Sequence, residues 1–281
     1  MSRGLGDVYK RQVEALHEDT GGVDVEFSTG PSQRFDLVIG ADGLRSGVRE
    51  SAFGPARPFE HYLGYCAASF VTTGYPHRDD GVYLSFAQPG RQVSRYAMRG
   101  DRSAFLFVFA ADEPPAGPHD RAAHEATLRR VFGGDGWETP EMLARLGDAD
   151  DLYFDAVSQI RMPQWHRGRV ALVGDAAYCP SLLAGAGAAF AMLGAYVLAG
   201  ELARAGGDHV VAFAAYERRL RPFIEAQQRD AERFAGSFAP KTAFGLFVRN
   251  AVLGLMRFEP LARWYSRRMF EHAFDLPDYR G

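Results

Sequence analysis

The sequence predicts an α/β protein with an inserted, mostly antiparallel β-sheet and a helical C-terminal part, and three observations carry that prediction. Two short apolar runs, one ending near residue 40 and one near residue 173, each stop at a turn built from glycine and aspartate. The chain between them is rich in aromatic and β-branched residues broken by Gly/Pro turns, the composition of a sheet. Beyond residue 208 the apolar residues recur at helical spacing.

Met1–Gln12 (MSRGLGDVYKRQ) lacks the apolar h-region of a signal peptide and reads as neither strand nor helix. The expectation is a non-native leader, a fusion scar on a truncated gene. From Val13 the pattern becomes coherent. Val13 to His17 and Val23 to Phe27 read as a hairpin-like pair of strands with Gly21-Gly22 at the turn, and Gly30-Pro31 leads towards the next strand. Leu37, Val38 and Ile39 then form an apolar run that fits a buried parallel strand entering the turn Gly40-Ala41-Asp42-Gly43. Gly40 and Gly43 allow close backbone approach or positive φ, and Asp42 places an acceptor at the strand tip. Ser46 caps a following helix through Arg49. Ligands dock at such strand ends in open α/β sheets.

Tyr62 to Thr72, Val82 to Ala87, Gln92 to Met98 and Ala104 to Ala110 predict an antiparallel sheet with turns near Gly74, Gly90 and Gly100. Pro114, Pro115 and Pro118 end it. His119 to Phe132 reads as an exposed amphipathic helix, and a further helix starts with Thr139 as N-cap and Pro140 at the first helical position. Tyr153 to Ile160 returns to strand character. Tyr65, Phe70, Tyr83, Phe86, Tyr96, Phe105, Phe107 and Phe109 are numerous enough to line an apolar pocket, although sheet aromatics mainly pack. Arg95 and Arg99 either face an anionic substrate or lie on the solvent face.

Gly168 to Ala177 (GRVALVGDAA) is a second apolar strand, ending in Gly174-Asp175 and followed by Pro180 and then Gly185-Ala186-Gly187. The uncharged run Cys179 to Gly200 has the length of a membrane span, but its many glycines and alanines fit a helix packed closely between a sheet and other helices. His209 to Phe234 carries Phe213, Tyr216, Leu220, Phe223 and Ile224 at helical spacing. Lys241 to Phe270 mixes arginines with apolar residues. Such a basic amphipathic stretch binds a membrane surface or a partner in some proteins, and the expectation here is packing against the domain that holds the two Gly/Asp turns.

Asp36, three apolar residues, two small ones, Asp42-Gly43, then Arg45, Ser46, Val48 and Arg49 closely resemble the Asp-Gly motif of the FAD-dependent aromatic hydroxylases. These are the single-component (group A) flavoprotein monooxygenases, of the p-hydroxybenzoate hydroxylase kind. The segment from Gly168 to Gly187 resembles the second flavin motif of that family. From Val13 onward, the resemblance implies an FAD-binding domain of the glutathione-reductase-like Rossmann variant at 13–57 and 155–207, lacking its first βαβ unit. It further implies a substrate domain at 58–154 that roofs the flavin, and C-terminal helices at 208–281.

The residue roles follow from the same resemblance. The Asp42, Gly43 and Arg45 turn touches the FAD pyrophosphate and helps with the nicotinamide coenzyme. Gly174 and Asp175 form the second turn, with Asp175 on a ribitol hydroxyl. Pro180 lies beside the isoalloxazine ring, and the Gly185, Ala186 and Gly187 amides face its N1/C2 edge, where a helix N-terminus stabilises the reduced flavin's negative charge. Ala186, Ala188 and Ala189 stand where many members carry polar residues, so contacts there rely on backbone. The implied activity is that of an NAD(P)H-using monooxygenase that takes O2 and hydroxylates a small aromatic or related substrate through a flavin C4a-hydroperoxide. Alternatives on the same scaffold are a flavin dehydrogenase, a halogenase or a non-catalytic, flavin-free relative. Without the G-x-G-x-x-G unit of the family, the 281-residue chain is expected to bind no FAD.

Composition agrees with a soluble, ordinary globular protein. A net charge of −3 gives no reason to expect nucleic acid. Two cysteines without ligand spacing and eight scattered histidines suggest no metal site, and the thiols fit a reduced, cytoplasmic setting. Cys179, though in the flavin motif region, reads as a small buried residue.

Overall fold

The computed structural model describes residues 11–77, 79–114, 120–256, 258, 259, 263 and 274–279. In chain order the first elements are β1 (Val13–Asp19), β2 (Gly22–Phe27), β3 (Gln33–Phe35), β4 (Val38–Gly40), α1 (Gly47–Phe53), β5 (Glu60–Thr73), β6 (Tyr83–Gln88), β7 (Arg91–Met98) and β8 (Arg102–Ala110). Then follow α2 (Arg121–Phe132), α3 (Thr139–Ala144), β9 (Leu152–Ile160), β10 (His166–Arg167), β11 (Val170–Leu172), α4 (Asp175–Tyr178), α5 (Gly187–Arg204), α6 (His209–Phe238) and α7 (Ala243–Leu255). The chain divides into two compact units, one of residues 1–61, 158–229 and 274–281 and the other of residues 62–157 and 230–273.

In the first unit, β1, β2 and β3 form an antiparallel meander. The expected hairpin is present, and the sequence reading missed its third strand because β3 is only three exposed residues long. Asp19 builds the turn by accepting from the Gly21 and Gly22 amides at 2.7 and 3.1 Å. Most of the expected leader lies outside the described residues, but Gln12 is already paired, its carbonyl accepting from the Ser28 amide at 2.9 Å. A second small sheet has the order β10-β11-β4, with β4 and β11 parallel.

The core of this unit gathers Val23, Val48, Trp165, Leu172, Phe190, Val197, Phe213, Tyr216, Leu220 and Ile224. The small residues of α5 earn their place by packing, since a Cβ on Gly194 would overlap the Tyr178 hydroxyl and one on Gly200 would overlap the Tyr279 ring. Among the described residues no helix is long and apolar enough to cross a membrane.

In the second unit, a five-stranded sheet has the order β6-β7-β8-β5-β9, antiparallel across β6/β7, β7/β8 and β8/β5. Phe70, Phe105, Phe107 and Phe109 pack with Leu128 and Phe132 of α2 and Met142 of α3. The α2 helix, expected to be exposed, buries His124, Leu128 and Phe132 on one face, and Asp120 caps it by accepting from the Ala123 amide. Of the candidate pocket aromatics, Tyr65, Phe70, Phe105, Phe107 and Phe109 are core, while Tyr83 and Tyr96 are exposed and stack on each other at 6.2 Å.

Arg95 takes neither expected role. It is buried and bonds Glu138 through Nε at 2.6 Å and Asp79 through Nη2 at 2.8 Å. Glu138, drawn to Arg95 and to the Tyr75 hydroxyl, flanks α3, so Thr139 is the first residue inside that helix rather than its cap.

Helix α7 also departs from expectation. It groups with the second unit and buries none of its residues. Its anchor is Arg249, which donates to Gln92 Oε1 and to the Phe238 carbonyl, both at 2.7 Å. Much of the expected basic stretch, including Arg257, Trp264, Arg267 and Arg268, lies outside the described residues.

Candidate functional site

The site is built on the parallel pair β4 and β11. Val38 stands opposite Val170 and Gly40 opposite Leu172, and the Val173 amide extends the pairing by donating to the Gly40 carbonyl at 2.9 Å. Both Gly/Asp turns therefore leave the same end of one small sheet, the carboxyl end where ligands bind in open α/β folds. Gly40 is required here, because a Cβ on it would come within 2.6 Å of Leu172 Cδ2 and 2.8 Å of Val48 Cγ1.

The first turn is internally braced. Asp42 accepts from the Ser46 hydroxyl at 2.5 Å and from the Val48 amide at 3.0 Å, while Ser46 Oγ accepts from the Arg49 amide at 2.9 Å. The Ser46 cap is thus formed as the sequence predicts. Asp42 lies exposed at the strand tip with part of its acceptor capacity used to hold the N-terminus of α1. Gly43 has φ +83° and a Cβ there would meet nothing within 4 Å, and Arg45 is exposed beside it.

Arg49 ties the first turn to the second. Its guanidinium is buried and donates to the Leu44 carbonyl at 2.7 Å and to the Ala176 carbonyl at 2.9 Å. Burial holds its pKa below the usual arginine value, because desolvation disfavours the charged form.

In the second turn Gly174 has φ +65° and ψ −142° and precedes α4, whose first residue is Asp175. A Cβ at Gly187 would lie 3.4 Å from Asp175 Oδ1, so this half-buried carboxylate stands against the start of α5. Below it the Tyr216 hydroxyl donates to the Leu172 carbonyl at 3.0 Å and lies 3.2 Å from the Tyr178 hydroxyl. Cys179 is buried, and desolvation pushes its thiol up to about 12.

Pro180 is buried, with its carbonyl accepting from Gln159 Nε2 at 2.9 Å, and the exposed apolar side chain of this loop is Leu182. Gly185 is left-handed at φ +64°, again with nothing within 4 Å of a Cβ. Ala186 then leads into α5, an 18-residue helix whose N-terminus no side chain caps among the described residues. The first amides of a helix have no partner within it, and here they combine with the positive end of the helix dipole on a segment, 185–189, that is exposed or half-buried. Open glycine positions, an uncapped helix N-terminus and an adjacent carboxylate suit a ligand with a negatively polarised edge and neighbouring hydroxyls.

Residues 2–230 match the protein family described as FAD binding domain. The chain belongs to that FAD-binding family. A flavin-dependent monooxygenase from an unknown prokaryotic organism is 37% identical over 276 residues, covering 96% of this chain and 68% of that protein. Another, from Legionella longbeachae, is 34% identical over 237 residues, covering 83% of this chain and 60% of its own length. Among solved structures, tetracycline destructase Tet(55) aligns with a TM-score of 0.79 at 34% identity, covering 96% of this chain and 69% of that one. Klebsiella pneumoniae HpxO, complexed with FAD and uric acid, aligns with a TM-score of 0.68 at 27% identity, covering 85% and 62%. The chain thus spans between 60% and 69% of the length of these relatives.

FAD is the cofactor of the family, and the residues present fit it: the two cradle glycines, Gly43 and Gly185, are open, and the α5 amides have no side-chain cap among the described residues. Sequence reasoning missed the clamp made by Arg49 and the buried amides of Gln159 and Gln228. For Gln228 a signal existed, since Tyr216, Leu220, Ile224 and Gln228 share one helical stripe, and a polar residue on a buried stripe needs partners.

Proposed function

We propose that the chain carries part of the FAD site of an NAD(P)H-using monooxygenase that acts on a small aromatic or related organic substrate with O2. The observation that carries this reading is the parallel β4/β11 pair, which delivers Asp42-Gly43 and Gly174-Asp175 to one sheet end beside the uncapped start of α5. Relatives named as flavin-dependent monooxygenases support the reaction class, and the uric acid bound by HpxO supports a small, flat, polar substrate.

In this reading Asp42, Gly43 and Arg45 meet the pyrophosphate, with Gly43 leaving room for close approach. Gly174 turns the chain so that Asp175 accepts from a ribitol hydroxyl. The Pro180 loop stands beside the isoalloxazine, and the amides at Gly185, Ala186 and Gly187 hold negative charge at the ring edge, helped by the α5 dipole. Bound FAD supplies the transfer of electrons from a nicotinamide coenzyme to dioxygen. The protein's own contribution is to bind and orient the cofactor and substrate and to exclude water. Residues 58–154 are proposed as the substrate domain.

The test uses the product of the complete reading frame that contains this chain. FAD binding is followed by flavin fluorescence, and NADH or NADPH oxidation is followed with a panel of hydroxylated aromatics and purines. Asp175→Ala is expected to weaken FAD binding at least tenfold. Wild-type FAD affinity in that variant overturns the site, and absence of coenzyme oxidation with every substrate overturns the monooxygenase reading in favour of a non-catalytic relative.

A further inference from the structure

Ser181 occupies a conformation that a serine should avoid. Its φ of 111° with ψ 146° lies in a strained region essentially reserved for glycine. Such a conformation persists only where the surroundings fix the backbone on both sides of it. On the downstream side the Ser181 carbonyl accepts from the Ala184 amide at 3.1 Å and the Leu182 carbonyl from the Gly185 amide at 3.2 Å. On the upstream side the fixing is done by two buried side-chain amides.

Gln159, on β9, is fully buried. Its Nε2 donates to the Pro180 carbonyl at 2.9 Å and to the Gln228 backbone carbonyl at 2.8 Å, and its Oε1 accepts from Arg161 Nε and Nη2 at 2.8 and 2.6 Å. Gln228, on α6, donates through Nε2 to the Ile160 carbonyl at 2.8 Å and to the Cys179 carbonyl at 3.2 Å. The Cys179 carbonyl also accepts from the Ile160 amide at 3.1 Å. Both carbonyls immediately before Ser181 are therefore held from inside the core. An apolar residue at 159 or 228 would fill the core without the desolvation cost of an amide, so the amides are explained by what they hold.

We propose that Gln159 and Gln228 are positioning residues that bolt Cys179 and Pro180, and thereby keep Ser181 in its glycine-like conformation and set the course of Leu182 to Gly187. With both bolts in place, the loop turns outward at Ser181, exposing Leu182 and leaving the Gly185–Gly187 turn open at the head of α5. Without them Ser181 relaxes to an ordinary backbone region and the loop swings away from that course. The consequence for cofactor affinity rests on the flavin reading of this loop; the bolting itself does not.

The experiment compares amide hydrogen exchange in the 281-residue chain and in Gln159→Leu, Gln228→Leu, Ser181→Gly and Gln228→Leu/Ser181→Gly. Each leucine variant is expected to speed exchange at the Ala184 and Gly185 amides at least tenfold while the Val170–Leu172 amides stay within twofold. The Ser181→Gly change removes the strain together with the Ser181 Oγ acceptor of the Leu183 amide at 3.2 Å, so its own loop exchange is the baseline, and Gln228→Leu/Ser181→Gly is expected to stay within about threefold of that Ser181→Gly parent. Unchanged loop exchange in both leucine variants, equal acceleration of strand and loop, or failure of the double variant to stay near its glycine parent each overturns the proposal. In the complete reading frame, the leucine variants are expected to weaken FAD binding at least tenfold. Loop exchange that responds while FAD affinity does not would leave the bolting intact and overturn the placement of flavin at this loop.

Discussion

Replacing Gly174 by alanine should be among the most costly single-methyl additions in the first unit, and the structure separates its two causes. The residue sits at φ +65° and ψ −142°, so any side chain there is strained. An L-residue in such a region costs about 1–3 kcal/mol. In addition, the new Cβ would stand 2.9 Å from the Cβ of Ala191 and 3.5 Å from its Cα. Ala191 is a rigid partner within α5, so the methyl cannot be accommodated by rotating a side chain. Overpacking of this kind costs about 1–3 kcal/mol, giving a total of about 2–6 kcal/mol for Gly174→Ala. Gly43→Ala is the matched control, because φ is +83° but nothing lies within 4 Å of the added Cβ. It should show the backbone cost alone, about 1–2 kcal/mol. Urea denaturation followed by far-UV circular dichroism and tryptophan fluorescence measures both, since Trp165 is buried 4.5 Å from the Tyr178 ring and reports on this core. If Gly174→Ala costs no more than Gly43→Ala, α5 does not press on the turn as described.

Three further outcomes are expected. Arg49→Met leaves the Leu44 and Ala176 carbonyls without their donor and should destabilise the chain by about 2–4 kcal/mol, with Arg49→Lys recovering part of the loss; a loss below 0.5 kcal/mol (roughly the noise of a surface change) would refute the clamp. Arg95→Met strands Glu138 and Asp79 and should cost about 3 kcal/mol in the same denaturation assay, although Asp79 is half exposed and contributes the smaller share. Both cysteines are buried with their thiols pushed up by desolvation, Cys179 to about 12, so iodoacetamide at pH 8 should label neither in the native chain and both in denaturant. The folded value of Cys179 lies above its ordinary 9.0, so its contribution to stability is complete below pH 9 and is lost as pH rises from 9 towards 12. Rapid native alkylation, or stability that rises across that alkaline window, would contradict the burial.

What could be read from the sequence were features encoded within a few residues. The apolar run into Asp42-Gly43, its partner at Gly174-Asp175, the Ser46 cap and the small-residue face of α5 all follow from local spacing, and each is present. Features that depend on a distant partner were not legible. Arg95 reads as a surface arginine because nothing near it announces Glu138, which arrives from the far side of α2. Thr139 has the right chemistry for a cap, but Glu138 flanks the helix because that ion pair holds it there. The arginines and apolar residues of α7 suggested a packed face, and the helix buries none of them. Gln228 is intermediate, since its stripe marked it as buried while the carbonyls it serves, Ile160 and Cys179, lie far away in the sequence.

The pairing of Val38 with Val170 bears on how the chain reaches its native state. Two three-residue parallel strands, each too short to persist alone, meet only after the whole of β5 to β9 has been threaded between them. Closing so long a loop costs entropy that a few strand hydrogen bonds cannot recover, so the ends are brought together economically only when the intervening sheet has already collapsed and shortened the gap. Chain connectivity therefore favours an order in which the β5–β9 segment folds before the Gly/Asp turns meet, and agents that delay its folding should delay the appearance of the site.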